Sequence, residues 1–127
     1  MGKTTDELVT LAQSISSHPN PREYDALIST GENISAALMA MSLSEMGKKA
    51  ISLTGVQAGI LTETLHAKAK ILTIHTQRSE EELNKGQIVV VTGFQGINKA
   101  FDVTTIGRGG SDTSAVVLAA ALKAKVC

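Results

Sequence analysis

Residues 87–92, QIVVVT, limit the possible folds more than any other stretch of the chain. The run is short, continuous and rich in β-branched residues, which predicts a buried strand of the kind found in parallel sheets. Helical patterns lie on both sides of it, at residues 78–85 and 111–124. Helices that alternate with such strands predict a layered α/β fold with a mainly parallel sheet.

The remaining elements follow from local patterns. Pro21 suits the first turn of a long helical stretch that ends near Gly47. Within it, residues 29–32, STGE, predict a turn that interrupts the helix. Short strands are expected at residues 49–53 and 70–74, and a loop with a hairpin at 93–105.

Composition excludes several classes of function. The chain has 127 residues, enough for one domain, and 12 basic residues balance 12 acidic ones. With only 2% aromatic residues it lacks the stacking platforms of nucleic-acid binders, so we expect no nucleic-acid partner. No apolar run predicts a membrane helix, the histidines share no metal-ligand spacing, and a lone Cys127 forms no internal disulfide. We expect a cytoplasmic protein.

Residues 104–122, TTIGRGGSDTSAVVLAAAL, place charged and glycine residues directly before an apolar helix. Successive glycines let backbone N–H groups approach a ligand, and the start of a helix favours negative charge. Arg108 adds a planar donor suited to a carboxylate or phosphate. Ser111 or Asp112 also suits a simple helix cap, which leaves Arg108 unexplained. Glu32, in STGE, suits a cation or merely the start of a helix.

The motifs STGE, ISLTGVQAGI, IVVVTGFQG and TTIGRGGSDTSAVVLAAALKA resemble those of aspartokinases in order and spacing. These enzymes phosphorylate the side-chain carboxylate of L-aspartate. The resemblance implies the amino-acid kinase (carbamate kinase-like) fold, a three-layer αβα sandwich around a mainly parallel sheet. KFGGTS-like, YTDVDG-like and TDPR-like segments and the regulatory ACT domains do not occur in residues 1–127. We therefore expect a domain incomplete at both ends, which contains the acceptor-substrate half.

The resemblance also implies roles for individual residues. Arg108 corresponds to the arginine that grips the α-carboxylate of aspartate, and Glu32 to the acidic partner of its ammonium. Phe94 corresponds to a residue that lines the acceptor pocket, and Asp112 to one that organises the catalytic centre. The backbone-donating wall of that pocket is implied to be Gly109, Gly110 and Ser111.

The implied reaction converts ATP and L-aspartate to ADP and 4-phospho-L-aspartate with Mg²⁺, the first step of lysine, threonine and methionine biosynthesis. The resemblance further implies a homo-oligomer for the full-length enzyme. We expect residues 1–127 alone to be inactive. One alternative is a sister kinase acting on glutamate, acetylglutamate or a nucleotide, which the combination of STGE and GRGGSDT disfavours. Another is a non-catalytic binding or assembly module with the same fold.

Overall fold

The computed structural model of the chain describes residues 3–107 and 109–127. Helices and strands are interspersed along the chain, as an α/β fold requires. In chain order the elements are α1 (Thr4–Ile15), α2 (Pro21–Glu45), β1 (Ala50–Leu53), β2 (Ile60–Thr62), β3 (Ile71–Ile74), α3 (Gln77–Asn84), β4 (Ile88–Val91), β5 (Gln95–Ile97), β6 (Val103–Thr105) and α4 (Gly110–Ala121).

The strands form two sheets of mixed direction. β1 pairs with β4 in parallel, and the second sheet has the order β3-β2-β5-β6. In the second sheet β2 and β5 are parallel, whereas β2–β3 and β5–β6 are antiparallel. Parallel neighbours need a long crossover, and both parallel pairs are separated by other elements along the chain. The antiparallel pairs are consecutive strands with short connections, so the part described is mixed rather than mainly parallel.

Helix α2 runs unbroken over 25 residues, and the predicted interruption at residues 29–32 is wrong. The hydroxyls of Ser29 and Thr30 donate to backbone carbonyls three residues earlier, at 3.0 and 2.6 Å, inside the same helix. These hydroxyls therefore do not compete for a turn, as they do in other sequences. Glu32 consequently lies in the middle of a helix and not at the start of one.

The core lies between α2 and the two sheets. Leu53, Ala58 and Ile60 form its buried centre, and α2 contacts β1, β4 and β6. β4 is confirmed as a strand, but its residues are partly exposed, with Ile88 43% exposed. Within residues 3–107 and 109–127 β4 has β1 as its neighbouring strand, so its other edge is not covered by a strand described here.

The last helix, α4, is apolar and short. It begins at Gly110 and ends at Ala121, three residues before its predicted end. None of the helices in the described ranges has both the length and the hydropathy needed to span a bilayer.

Candidate functional site between helix α2 and the start of helix α4

Six of the seven residues singled out from the sequence line one hollow of about 290 Å³. The seventh, Arg108, lies outside the described residues. α2 contributes one side of the hollow, and the turn into α4 contributes the other. The lining consists of Thr5, Glu32, Phe94, Gly107, Gly109, Gly110, Ser111 and Asp112.

The amino end of α4 is built by a glycine. Gly109 is the N-cap and has a φ of +73°, a left-handed conformation that glycine adopts without strain. Glycine has no side chain, so the N-cap supplies no acceptor of its own. Ser111 and Asp112 lie inside the first turn and are not the cap, which removes the simple explanation for them. A helix start without a capping side chain favours an anion in the hollow.

Phe94 packs tightly against the same helix start. An ideal Cβ at Gly110 would lie 3.1 Å from Phe94 Cδ2, so a larger residue there would require the ring to shift by a few tenths of an ångström. The Phe94 N–H donates to Ser114 Oγ at 3.0 Å, and that hydroxyl donates to the Gly110 carbonyl at 2.6 Å. Phe94 itself has a φ of +70°, which is unusual for a residue with a side chain. Ser114 therefore fixes Phe94 to α4, a role that its position four residues after Gly110 makes possible.

Glu32 is positioned by Gln95, a residue that the motifs did not predict to take part in the site. The Gln95 side chain is buried, and its Nε2 donates to the Ser29 carbonyl at 3.0 Å and to Asn33 Oδ1 at 3.1 Å. These bonds fix the turn of α2 that carries Glu32 to the strand that follows Phe94. Glu32 and Phe94 thus reach the hollow from elements joined by a buried side chain.

The described residues contain no cluster of metal-ligating side chains. In residues 3–107 and 109–127 no three His, Cys, Asp or Glu side chains lie close enough together to hold a metal ion.

Comparison with known proteins agrees with the expected family. The model of the family described as "Amino acid kinase family" matches residues 1–127. The aspartokinase of Geobacillus stearothermophilus is 61% identical over 127 residues, and aspartokinase 2 of Bacillus subtilis is 54% identical. Each match covers 100% of this chain and 31% of the relative. The chain therefore spans about a third of the length of these curated relatives.

Solved structures share the fold. Aspartate kinase from Synechocystis matches with a TM-score of 0.82 and 50% identity, over 100% of this chain and 20% of that chain. Aspartokinase III of E. coli, solved in complex with aspartate and ADP, matches with a TM-score of 0.78 and 30% identity, over 94% of this chain and 27% of that chain. The expected fold is confirmed, and the chain belongs to the amino acid kinase family.

Proposed function

We propose that residues 1–127 form the acceptor-binding half of an aspartate kinase, which transfers a phosphoryl group from ATP to the side-chain carboxylate of L-aspartate. The observation that carries this proposal is the hollow of about 290 Å³ lined by Glu32 on one side and the start of α4 on the other. The aspartokinases that are 50–61% identical to this chain support the choice of substrate.

The hollow suits the two charges of an amino acid. The α-carboxylate binds at the start of α4, where backbone N–H groups and the helix dipole favour an anion. Arg108, next to Gly109 in the sequence, donates to the same carboxylate. Glu32 accepts hydrogen bonds from the ammonium group. With both charges of the backbone moiety held, the side-chain carboxylate of aspartate is presented to the donor.

The transfer itself depends on this positioning. A side-chain oxygen of aspartate forms a bond to the γ-phosphorus of ATP while the bond from that phosphorus to the β,γ-bridging oxygen breaks. The products are 4-phospho-L-aspartate and ADP. Because phosphoryl transfer needs little covalent help from the protein, orientation of the acceptor is a large part of catalysis. Asp112, in the first turn of α4, organises the centre where the transfer occurs.

ATP is proposed as the donor because the E. coli relative was solved with aspartate and ADP. The product is the first intermediate of lysine, threonine and methionine biosynthesis. We also propose that the full-length enzyme is cytoplasmic and homo-oligomeric.

Glutamate and acetylglutamate are the alternative acceptors. Acetylglutamate has no ammonium group, so Glu32 would face it without a cation. Glutamate carries the same charges as aspartate on a side chain one methylene longer. The high identity to aspartokinases favours aspartate over both.

The test uses a segment-exchanged kinase, in which these 127 residues replace the matching segment of the Geobacillus stearothermophilus aspartokinase. We expect it to phosphorylate aspartate in preference to glutamate and acetylglutamate. Arg108→Ala should raise the KM for aspartate at least tenfold, because a hydrogen bond to a charged group contributes about 1.5–3 kcal/mol. Arg108→Lys keeps the charge and should have a smaller effect. The KM for ATP should change less than twofold in both variants.

A folded segment-exchanged kinase that ignores aspartate, or an Arg108→Ala variant with unchanged kinetics, contradicts the proposal. Titration of the 127-residue chain with aspartate and with ATP separates an acceptor-binding half from a non-catalytic module. The proposal expects weak binding of aspartate, which Glu32→Gln abolishes. If neither aspartate nor ATP binds, the result favours the non-catalytic module.

A further inference from the structure

Asp25 is a fully buried carboxylate that the proposed mechanism does not use. It lies on α2 with 0% exposure and has four hydrogen-bonding partners. Its oxygens accept from the Thr105 N–H at 3.1 Å and from the Thr105 hydroxyl at 2.6 Å. They also accept from the Ala67 N–H, at 3.0 and 3.2 Å, and His66 Nδ1 lies 2.8 Å away.

Both groups of partners lead to the same glycine. Thr105 ends β6 and stands two residues before Gly107, which lines the hollow. Ala67 lies against Gly107 from the other side, since an ideal Cβ at Gly107 would be 3.1 Å from the Ala67 carbonyl oxygen. The Ala69 N–H donates to the Thr105 carbonyl at 3.0 Å and joins the two groups. Asp25 therefore holds the two segments that flank Gly107, where the chain enters the glycine turn (Gly107, Gly109 and Gly110) at the start of α4.

The same helix face carries Glu32. Asp25 and Glu32 are seven residues apart on α2, which places them on one face and about 10 Å apart along the helix axis. One end of this rigid stretch holds the segment before the glycine turn, and the other end lines the hollow opposite that turn.

We propose that Asp25 is a positioning residue for the acceptor: its carboxylate joins Thr105 and Ala67 to α2 and so sets the distance between the glycine turn and Glu32. This inference rests on the proposed function, because the distance matters for a zwitterion bound at both ends. An error of about 1 Å in such a contact is enough to reduce catalysis strongly.

Asp25→Asn in the segment-exchanged kinase is the first test. The amide keeps the size but turns an NH₂ group toward N–H and O–H donors, so the segment before Gly107 loses its anchor. We expect the KM for aspartate to rise at least tenfold, with the KM for ATP changed less than twofold. Glu82→Gln is the matched control, because Glu82 is also a buried, hydrogen-bonded carboxylate but lies on α3. Its KM for aspartate should stay within twofold.

Thr105→Val and Thr105→Ser keep the test decisive if Asp25→Asn does not fold. Valine removes the hydroxyl that donates to Asp25 and should raise the KM for aspartate about fivefold. Serine keeps the hydroxyl, so its KM for aspartate should stay within twofold of the parent value. Amide hydrogen exchange gives a readout that needs no activity. In Asp25→Asn, exchange at residues 103–107 should quicken at least tenfold while exchange in α3 stays unchanged.

The inference is overturned if Asp25→Asn and Thr105→Val lower kcat or the melting temperature but leave the KM for aspartate and the exchange at residues 103–107 unchanged. In that case Asp25 is an ordinary core residue, and the proposed function still stands. If the parent segment-exchanged kinase does not act on aspartate, the proposed function fails, and hydrogen exchange alone decides whether Asp25 holds the turn.

Discussion

Asp25 and Glu82 are the two buried carboxylates in the part of the chain that the structure describes, and their hydrogen-bonding partners differ in kind. The partners of Asp25 lie 41 to 80 residues away in the sequence and are backbone N–H groups, a hydroxyl and a histidine. The partners of Glu82 lie within five residues: Arg78 Nε at 3.0 Å, Lys85 Nζ at 3.1 Å and the amide of Gln87. Asp25 thus joins distant segments, whereas Glu82 completes a single helix end.

The difference shows which contacts control the site. Arg78 and Lys85 are more than half exposed, so the charges that balance Glu82 are shared with solvent and are weakened by salt. The donors to Asp25 include the buried N–H and hydroxyl of Thr105, which lie away from solvent. The contacts of Asp25, which join distant segments, hold the hollow in shape. The contacts of Glu82, which are local, stabilise the end of α3 away from the hollow.

Asp25→Ala is expected to change the free energy of unfolding most. The change leaves the buried N–H and hydroxyl of Thr105, and the partly buried N–H of Ala67, without their acceptor. We expect the free energy of unfolding to fall by at least about 3 kcal/mol, since each unpaired buried donor costs about 1–3 kcal/mol. Urea unfolding of the 127-residue chain measures it. A fall no larger than that of Glu82→Ala would erase the distinction between the two carboxylates.

Two glutamines allow the same comparison between distant and local contacts, with an expected loss of stability of intermediate size. Gln95 is buried and bonds across to α2, whereas the exposed Gln57 accepts from Thr54 N three residues away. Gln95→Ala should lower the free energy of unfolding by about 2 kcal/mol, through lost hydrogen bonds and a cavity. Gln57→Ala should lower it by less than about 0.5 kcal/mol. Equal losses in the urea experiment would contradict the dominance of distant contacts.

The smallest effect is the pH dependence of Glu82. The hydrogen bond from Lys85, followed by the charges of Lys85 and Arg78, lowers the pKa of Glu82 below its ordinary value. The unfolded chain therefore binds the proton more readily, so this stabilisation is complete at neutral pH and is lost as the pH falls through the lowered pKa. Between about pH 5 and pH 3, Glu82→Gln should lose stability less steeply than the parent chain.

Features with a local sequence pattern were predicted, whereas features that depend on distant contacts were not. Residues 78–85 and 87–92 carry their own periodicity, and both α3 and β4 were found there. The site residues other than Arg108 line one hollow, and they were identified because each lies in a short motif that resembles those of aspartokinases. β2, only three residues long, carries no period and was missed. Asp25 was missed because its partners come together only after β6 and the loop before β3 have packed on α2.

The left-handed backbone at Phe94 has a consequence for how this position can change. A side chain in that conformation costs roughly 1–2 kcal/mol relative to glycine, which adopts it freely. Glycine at 94 would relax the main chain and remove the ring from the hollow in the same step. Selection for a more stable protein therefore favours glycine at this position, whereas selection for the shape of the acceptor pocket favours phenylalanine.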